Sequence, residues 1–544
     1  MINIDEAVEA IRARDHYSAF AESPSPRVYG EGAAEVGRAA FDALLGTDFA
    51  VSTPGAGDRV SPEVSPYGLT LAVAYPRVAA DAIDELITGA VAGTHRWRDA
   101  GPRHRAEVCV AILEALHARV FELAHAVMHT SGQAFVMAFQ AGGTHALDRA
   151  LEAIAYALAA QEFHPATATW TKPGRKQDLV VEKAFTPVGR GLSLLIGCNT
   201  FPTWNSYPGL FASLATGNPV IVKPHPNAVL PLAITVQVCQ QVLAENGFDP
   251  HLVTLAVERP GDGLAKDLAV HDAVKLIDYT GGNEFGDWLV DNARQAVVFA
   301  EQAGVNAVVI DSTDDVDGMI NNLAFSLALY SGQMCTTSQN LFIPADGIDT
   351  DQGRFSPSDV GLALGRAIDE LLGPDEKAVE LLGAIVNTQI PTLTERARSY
   401  GEVLVESRGL TPPAFDQAVI RTPSLILVDE DSTAYEQECF GPVTFVVSTS
   451  STQTSIHQFI ATVTKRGAMT AAIHSTSDEV LAAMREAALD VGVALSENLT
   501  GGVYVNQSAA FSDFHGTGAN PAANAAYTDL AYVANRFHVV QSRR

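Results

Sequence analysis

From residue 79 to 161, apolar residues recur at intervals of three and four through AADAIDELITGAVAGTHRW, RHRAEVCVAILEALHARVFELAHAVMHTSG and HALDRALEAIAYALAAQ, which predicts three amphipathic helices. Helices of that length form a layer that needs a sheet to cover. The rhythm then changes. TATWTKPGRKQDLVVEKAFTPVG alternates and is punctuated by Lys172, Pro173 and Gly174, so a projecting hairpin is expected over 163–187. Short continuous apolar runs follow, separated by helical patterns: GLSLLIG (191–197), PVIVKP (219–224), LVTLAV (252–257), AVKLIDYTGG (273–282) and AVVFAEQAG (296–304). Unbroken β-branched runs alternating with helices predict a parallel sheet buried on both faces, hence a doubly wound α/β domain. Such sheets bind ligands at the carboxyl ends of their strands. Cys198, Asn199, Lys223, Gly281, Gly282 and Glu301 all fall at those ends.

A second alternation begins with NAVVI (306–310) and continues through a helical LAFSLALYSGQM, the strand-like QNLFIP, a polar insert between Asp346 and Pro357, and the strands SLILV and VTFVV. It predicts a second α/β domain over 304–503. The first domain then comprises 1–162 and 188–303, leaving 163–187 and 504–544 as a small β segment and tail. The boundary lies between Glu301 and Cys335, and domain interfaces favour small-molecule sites.

Composition narrows the function classes. With 544 residues, 47% hydrophobic and 18% charged, the chain can bury large cores and is not disordered. A net charge of −28 repels phosphate backbones and anionic membranes, so neither nucleic acid nor a membrane surface is an expected partner. Met1–Phe20 has no apolar core of the kind a secretory or transit peptide carries, and no apolar run approaches a spanning length. Five scattered cysteines without a CxxC encode neither a disulfide framework nor a zinc site. A cytoplasmic protein with free thiols is expected.

One thiol stands out. Cys335 lies in YSGQMCTTSQN, a small and polar neighbourhood unlike the apolar stripe of a packing cysteine. A thiolate nucleophile needs a base and an oxyanion donor. Glu301 ends the apolar strand VVFAE, where burial is expected to raise its pKa and suit it to proton transfer. The Asn199 amide could donate to an oxyanion, and Lys223 could hold a ribose or phosphate. The stretch Gly281-Gly282-Asn283-Glu284-Phe285-Gly286 closes a strand and opens a helix, so its glycines would let a pyrophosphate approach the helix N-terminus.

Taken in order, Asn199, VIVKP, YTGGNEFG, FAEQAGVN with Glu301, GQMC with Cys335, and Glu438-Cys439-Phe440-Gly441-Pro442 resemble the aldehyde dehydrogenase superfamily across nearly the whole chain, with Glu301 and Cys335 spaced as that family spaces them. IGCNTFPTWNSYPGL, EQAGVN and AFSDFHGTGANPAANAAYTDL further resemble the phenylacetic acid degradation (PaaN) branch. The resemblance implies Cys335 as nucleophile, Glu301 as base, and Asn199 with the Cys335 backbone N–H as oxyanion hole. It implies that Lys223 and Glu438 hold ribose hydroxyls, that Gly281, Gly282 and Gly286 admit the pyrophosphate, and that Phe440 packs near the nicotinamide ribose. A homodimer or homotetramer is implied, joined through the hairpin and tail. The implied substrate is an aldehyde, in the PaaN branch a semialdehyde from aromatic degradation and CoA-linked in one version, with the chain ending short of any hydratase domain.

Departures from the family pattern shape further expectations. Cys198 replaces the tryptophan before the asparagine, which makes Asn205 in TWNSYP a rival for the amide role. The glutamate that NAD-preferring relatives place three residues after the lysine is Pro226 here. A carboxylate beside a phosphate is worth about 1–4 kcal/mol of repulsion, so its loss predicts NADP over NAD, with His225 donating to the extra phosphate and no acid neutralising Lys223. Asp311, Asp314, Asp315 and Asp317 mimic a calcium loop but lack its glycine and bidentate glutamate, and no metal is expected. The rival functions are a dehydrogenase that passes its acyl group to coenzyme A and a silent dinucleotide-binding scaffold.

Overall fold

The computed structural model describes residues 2–302, 304–412 and 414–544. Helices come first. In α1 (Ile4–Ala13), Ile4, Ala7, Ala10 and Ile11 form the buried stripe, and Asn3 caps the start by accepting from the Asp5 N–H. The apolar α2 (Val120–Ser131) ends at Gly132, whose φ of 77° is the left-handed conformation of a C-terminal stop. The long α3 (His145–Gln161) is buried along most of its length. Its polar side chains tie down the N-terminal segment: Asp148 accepts from the Ser18 hydroxyl (2.6 Å) and Ala19 N–H (2.9 Å), and Glu152 pairs with Arg14 (2.8 Å).

The alternating segment forms the expected hairpin, β1 (Thr167–Lys172) and β2 (Leu179–Gly189), paired antiparallel from Thr167/Ala184 to Lys172/Leu179. The five apolar runs become β3 (Leu192–Ile196), β4 (Val220–Lys223), β5 (Val253–Leu255), β6 (Val274–Thr280) and β7 (Val297–Glu301), all parallel in the order β5-β4-β3-β6-β7. The chain steps outward from β3 to β5, then returns to the other side of β3 as β6. The crevice between β3 and β6 is therefore a topological switch point, where open α/β sheets take their ligands. Register carries the site residues to one edge, since Ile196 is opposite both Lys223 and Tyr279, and Thr280 is opposite Glu301. Helices α4 (Pro202–Ala215), α5 (Leu230–Glu245) and α6 (Asn283–Asn292) cover the sheet.

The second alternation builds β8 (Asn306–Ile310), α7 (Val316–Ala328), β9 (Ser338–Pro344), β10 (Glu402–Val405), β11 (Ser424–Asp429), β12 (Val443–Thr449), β13 (Thr470–His474) and β14 (Ala494–Glu497). They make one seven-stranded sheet, β10-β11-β12-β9-β8-β13-β14, parallel except for β10 against β11. Two sheets and their helices confirm the α/β class.

Two expectations change. The helix expected through Met334 stops at Ala328, because Tyr330, Ser331 and Gly332 take φ of 54°, 51° and 69°. The tail, expected to serve assembly as a unit, divides. Only β15 (Phe537–Arg543) joins the hairpin, pairing with β2 from Phe537/Gly189 to Arg543/Lys183. The tail before β15 instead covers the free edge of β7: Gln302 N–H donates to Ala522 (2.7 Å), and Asn524 N–H donates to Ala300 (3.1 Å). The Asn524 side chain adds bonds to Ala300 N–H (2.8 Å) and Val298 C=O (2.9 Å). An apolar parallel strand cannot leave its edge unpaired, and the tail satisfies it. Farther along, Tyr532 and Arg536 close on Asp278 of β6 at 2.6–2.8 Å, a buried, paired charge.

Candidate active site

Cys335 follows the left-handed turn at 330–332. Non-glycine residues in that region cost about 1–2 kcal/mol each, so the turn is held by its surroundings. The buried Tyr330 hydroxyl donates to the Ser131 carbonyl, the Ser331 hydroxyl donates to the carbonyls of Leu382 (3.1 Å) and Arg421 (2.9 Å), and a Cβ on Gly332 would lie 2.4 Å from the Gly441 oxygen. Asn306, at the start of β8, fixes the other side. Its amide donates to the carbonyls of Cys335 (2.7 Å) and Thr337 (2.9 Å), and its oxygen accepts from Met469 N–H (2.8 Å) and Thr470 N–H (3.0 Å). Gln339 anchors the facing loop by accepting from Cys439 N–H (2.5 Å) and donating to the Gln437 carbonyl (2.8 Å). All five cysteines are unpaired, and Cys335 alone is not fully buried.

The structure brings Cys335 and Glu301 together and adds a third group, His515 from the tail. The imidazole Nε2 lies 3.1 Å from Glu301 Oε1 and 3.9 Å from Cys335 Sγ, and all three reactive atoms fall within 4.8 Å of one another. Trp204 stands edge-on to the imidazole with centroids 4.6 Å apart, and the buried Arg149 guanidinium lies 3.6 Å over the indole. Burial alone would raise the Glu301 carboxyl, as the sequence suggested. The charge and hydrogen bond of His515, a hydrogen bond from Cys335 and the charge of Arg149 outweigh it and hold Glu301 below its ordinary value. The Cys335 thiol is pushed well up by burial and then by the charge and hydrogen bond of Glu301. In this arrangement Glu301 is ionised and Cys335 carries its proton.

Asn199 sits beyond β3 as expected, and its amide donates to the Thr130 carbonyl (2.9 Å), which engages one of its two hydrogens. Asn205, on α4, donates to the buried Cys198 sulfur (3.5 Å).

The dinucleotide candidates divide. Gly282 begins α6 without a side-chain cap, and a Cβ there would meet nothing within 4 Å, so the first N–H groups of the helix face open space. Gly281 N–H donates to the Glu301 carbonyl (3.0 Å). Gly286 is a correction, because a Cβ there would strike the Gln302 side chain at 2.5 Å: its smallness seats α6 beside the base. Glu438 is partly buried beside the Cys335 turn, its carboxyl pushed up to about 7 by burial, and Phe440 is half-buried next to it. An open helix N-terminus, a buried lysine and a carboxyl with no hydrogen-bond or ion-pair partner among the described residues fit a nucleotide bearing phosphates and ribose hydroxyls. Lys223 requires a second correction: its ammonium pairs with Glu258, just beyond β5, which also accepts from Leu264 N–H (2.8 Å). An acid therefore does neutralise Lys223. His225 accepts from Asn227 N–H (3.1 Å) through Nδ1, and burial followed by the Lys223 charge lowers its pKa to about 4, so it is uncharged at neutral pH. Pro226 continues that turn, half-exposed.

A partly buried thiol and a buried carboxylate at the mouth of a nucleotide-type sheet define a class of thiol enzymes acting beside a dinucleotide cleft. Comparison with known proteins supplies the family. The sequence model of the Aldehyde dehydrogenase family matches residues 53–515. The crystal structure of an NAD-dependent aldehyde dehydrogenase from Burkholderia multivorans superposes with a TM-score of 0.97 and 52% identity, covering 99% of this chain and 97% of that one. A 1-pyrroline-5-carboxylate dehydrogenase of Bacillus subtilis is 22% identical over 445 residues, 79% of this chain and 81% of its own. A lactaldehyde dehydrogenase of Methanococcus maripaludis is 23% identical over 287 residues, 52% of this chain and 56% of its own. The first curated relatives are matched over little more than half their length, 55% and 59%. The chain belongs to the aldehyde dehydrogenase family.

His515, Asn306, Glu258, Trp204 and Arg149 were not singled out by sequence. Asn306 ends the quoted EQAGVN and His515 lies within the quoted tail, but neither has a spacing that betrays its contacts.

Proposed function

We propose that this protein oxidises an aldehyde to a carboxylic acid with a nicotinamide dinucleotide. The observation that carries the reading is the juxtaposition of Cys335 with an ionised, buried Glu301. Glu301 accepts the thiol proton as the sulfur adds to the aldehyde carbon, and the Cys335 N–H and the second hydrogen of the Asn199 amide are the donors proposed for the resulting oxyanion. A dinucleotide would be held by Gly282, Lys223 and Glu438 and would supply the two-electron acceptor, whereas Gly281, packed on Tyr279 and bonded to the Glu301 carbonyl, shapes the turn. Oxidation leaves an acyl group on sulfur. Glu301 hands the thiol proton on to solvent and then takes a proton from the attacking water, whose hydroxide adds to the acyl carbon and expels the thiolate, giving the acid. A base buried beside the thioester supports hydrolysis over transfer to coenzyme A.

The motifs shared with the PaaN branch support a semialdehyde of aromatic or phenylacetate degradation as substrate, free or CoA-linked. Among the described residues no helix is long and apolar enough to cross a membrane, and the unpaired cysteines support a cytoplasmic setting. Cys335→Ala should abolish aldehyde oxidation while dinucleotide affinity persists. Glu301→Gln should slow acyl formation, and slow release of the acyl group still more, in single-turnover and steady-state kinetics. Full turnover by Cys335→Ala would refute the reading, and product forming only with coenzyme A present would favour the acylating alternative.

A further inference from the structure

We infer that His515 is a positioning residue that serves Glu301 and Cys335 in turn through a single N–H. Both neighbours lie on the same ring nitrogen: Nε2 is 3.1 Å from Glu301 Oε1 and 3.9 Å from Cys335 Sγ. One nitrogen carries one hydrogen, so it cannot donate fully to both. Opposite an ionised Glu301 that hydrogen points at the carboxylate, which is the shorter of the two contacts. When the thiol proton passes to Glu301, the carboxyl becomes neutral and the sulfur becomes the anion. The same N–H then has its stronger acceptor on Sγ, and a small tilt redirects it. No proton leaves or joins the imidazole in this step: the S–H bond breaks, an O–H bond forms on Glu301, and the electron pair stays on sulfur.

The surroundings favour that tilt and little else. His515 and Glu301 are 3% and 2% exposed, so water does not compete for the N–H. The Trp204 edge limits the ring to small motions. The other titratable or charged groups facing the cluster are Arg149 from α3, which favours an anion on either partner, Cys198 beyond β3, and Tyr527 of the tail, whose buried hydroxyl has no hydrogen-bond partner among the described residues. Sulfur held beside a carboxylate is a poor thiolate, and a donor that follows the negative charge offsets that penalty at the moment of attack.

The inference rests on Cys335 as nucleophile, but it is tested on thiol ionisation, which turnover does not define. Alkylation of Cys335 by iodoacetamide is followed against pH in the wild type, His515→Ala and His515→Gln, whose amide N–H can stand where Nε2–H stood. Removing the donor should move the alkylation midpoint up by about one pH unit and lower kcat about tenfold or more, with KM for the aldehyde changed less than about twofold. The glutamine variant should return the midpoint to within about 0.3 unit of wild type. An unmoved midpoint in His515→Ala, or a glutamine variant no better than alanine, overturns the assignment. If neither variant folds, 15N-histidine spectra decide: one ring-nitrogen signal should follow the alkylation midpoint in the wild type and stay flat over that range in Cys335→Ala. Identical titrations in the two proteins would overturn it equally. Loss of the proposed oxidation reading would show separately, as turnover surviving in Cys335→Ala.

Discussion

At the scale of the residue, Glu258 changes the meaning of its neighbour. Lys223 ends a buried strand, and an unpaired ammonium there would be a strong attractor for an additional phosphate. Paired with Glu258, both partners being under 10% exposed, it instead presents a neutral polar pair suited to hydroxyls. The position of Pro226 lacks a carboxylate, and Glu258 brings one to Lys223 from just beyond the neighbouring strand. The pairing predicts a preference for NAD, against the NADP expected from Pro226. Glu258→Gln should raise kcat/KM for NADP relative to NAD by about tenfold, the factor that about 1.4 kcal/mol of lost repulsion produces. Steady-state kinetics with both cofactors checks this, and a wild type already preferring NADP would contradict it.

At the scale of the element, the turn at 329–332 matters most. Gly332 combines φ of 69° with a carbonyl 2.4 Å from any added Cβ, whereas Gly282 has an extended backbone and open space. Gly332→Ala should therefore lose at least about 2 kcal/mol in urea denaturation, and most activity, because the Cys335 turn and the Glu438 loop are forced apart. Gly282→Ser should unfold like the wild type. The contrast shows what was legible. The strands were readable because LSLLI, VIVK and VVFAE are apolar without interruption, and a parallel sheet buried on both faces leaves that mark. The placement of Asn199, Lys223, Gly281, Gly282, Glu301 and Cys335 at strand ends or turns followed from it. The turn itself was hidden, since LALYSGQM continues a helical pattern and left-handed Tyr330 and Ser331 are imposed by contacts with Ser131, Leu382 and Arg421. His515 and Glu258 were hidden for the same reason: each acts across a long sequence separation, which periodicity does not record.

At the scale of the whole molecule, the β1-β2-β15 sheet carries Trp170, Leu179, Val180, Val539 and Val540 largely exposed. Such a ribbon is an open edge and an apolar surface at once, and we propose that it joins subunits of a homodimer or homotetramer. Light scattering at micromolar concentration should give a multiple of the 57.6 kDa chain mass, and Val180→Lys with Val540→Lys should shift it toward the single chain. The segment leading into β15 is the one that seals β7 and delivers His515. Synthesis runs in one direction, so everything this segment completes is made before it. While the tail is still inside the ribosome, the emerging chain carries Cys335 and Glu301 without their third partner and has one sheet edge bare. Docking of the tail closes the β7 edge, brings His515 to the thiol and, on the proposed assembly, lays down the strand that would meet another subunit, all in one event.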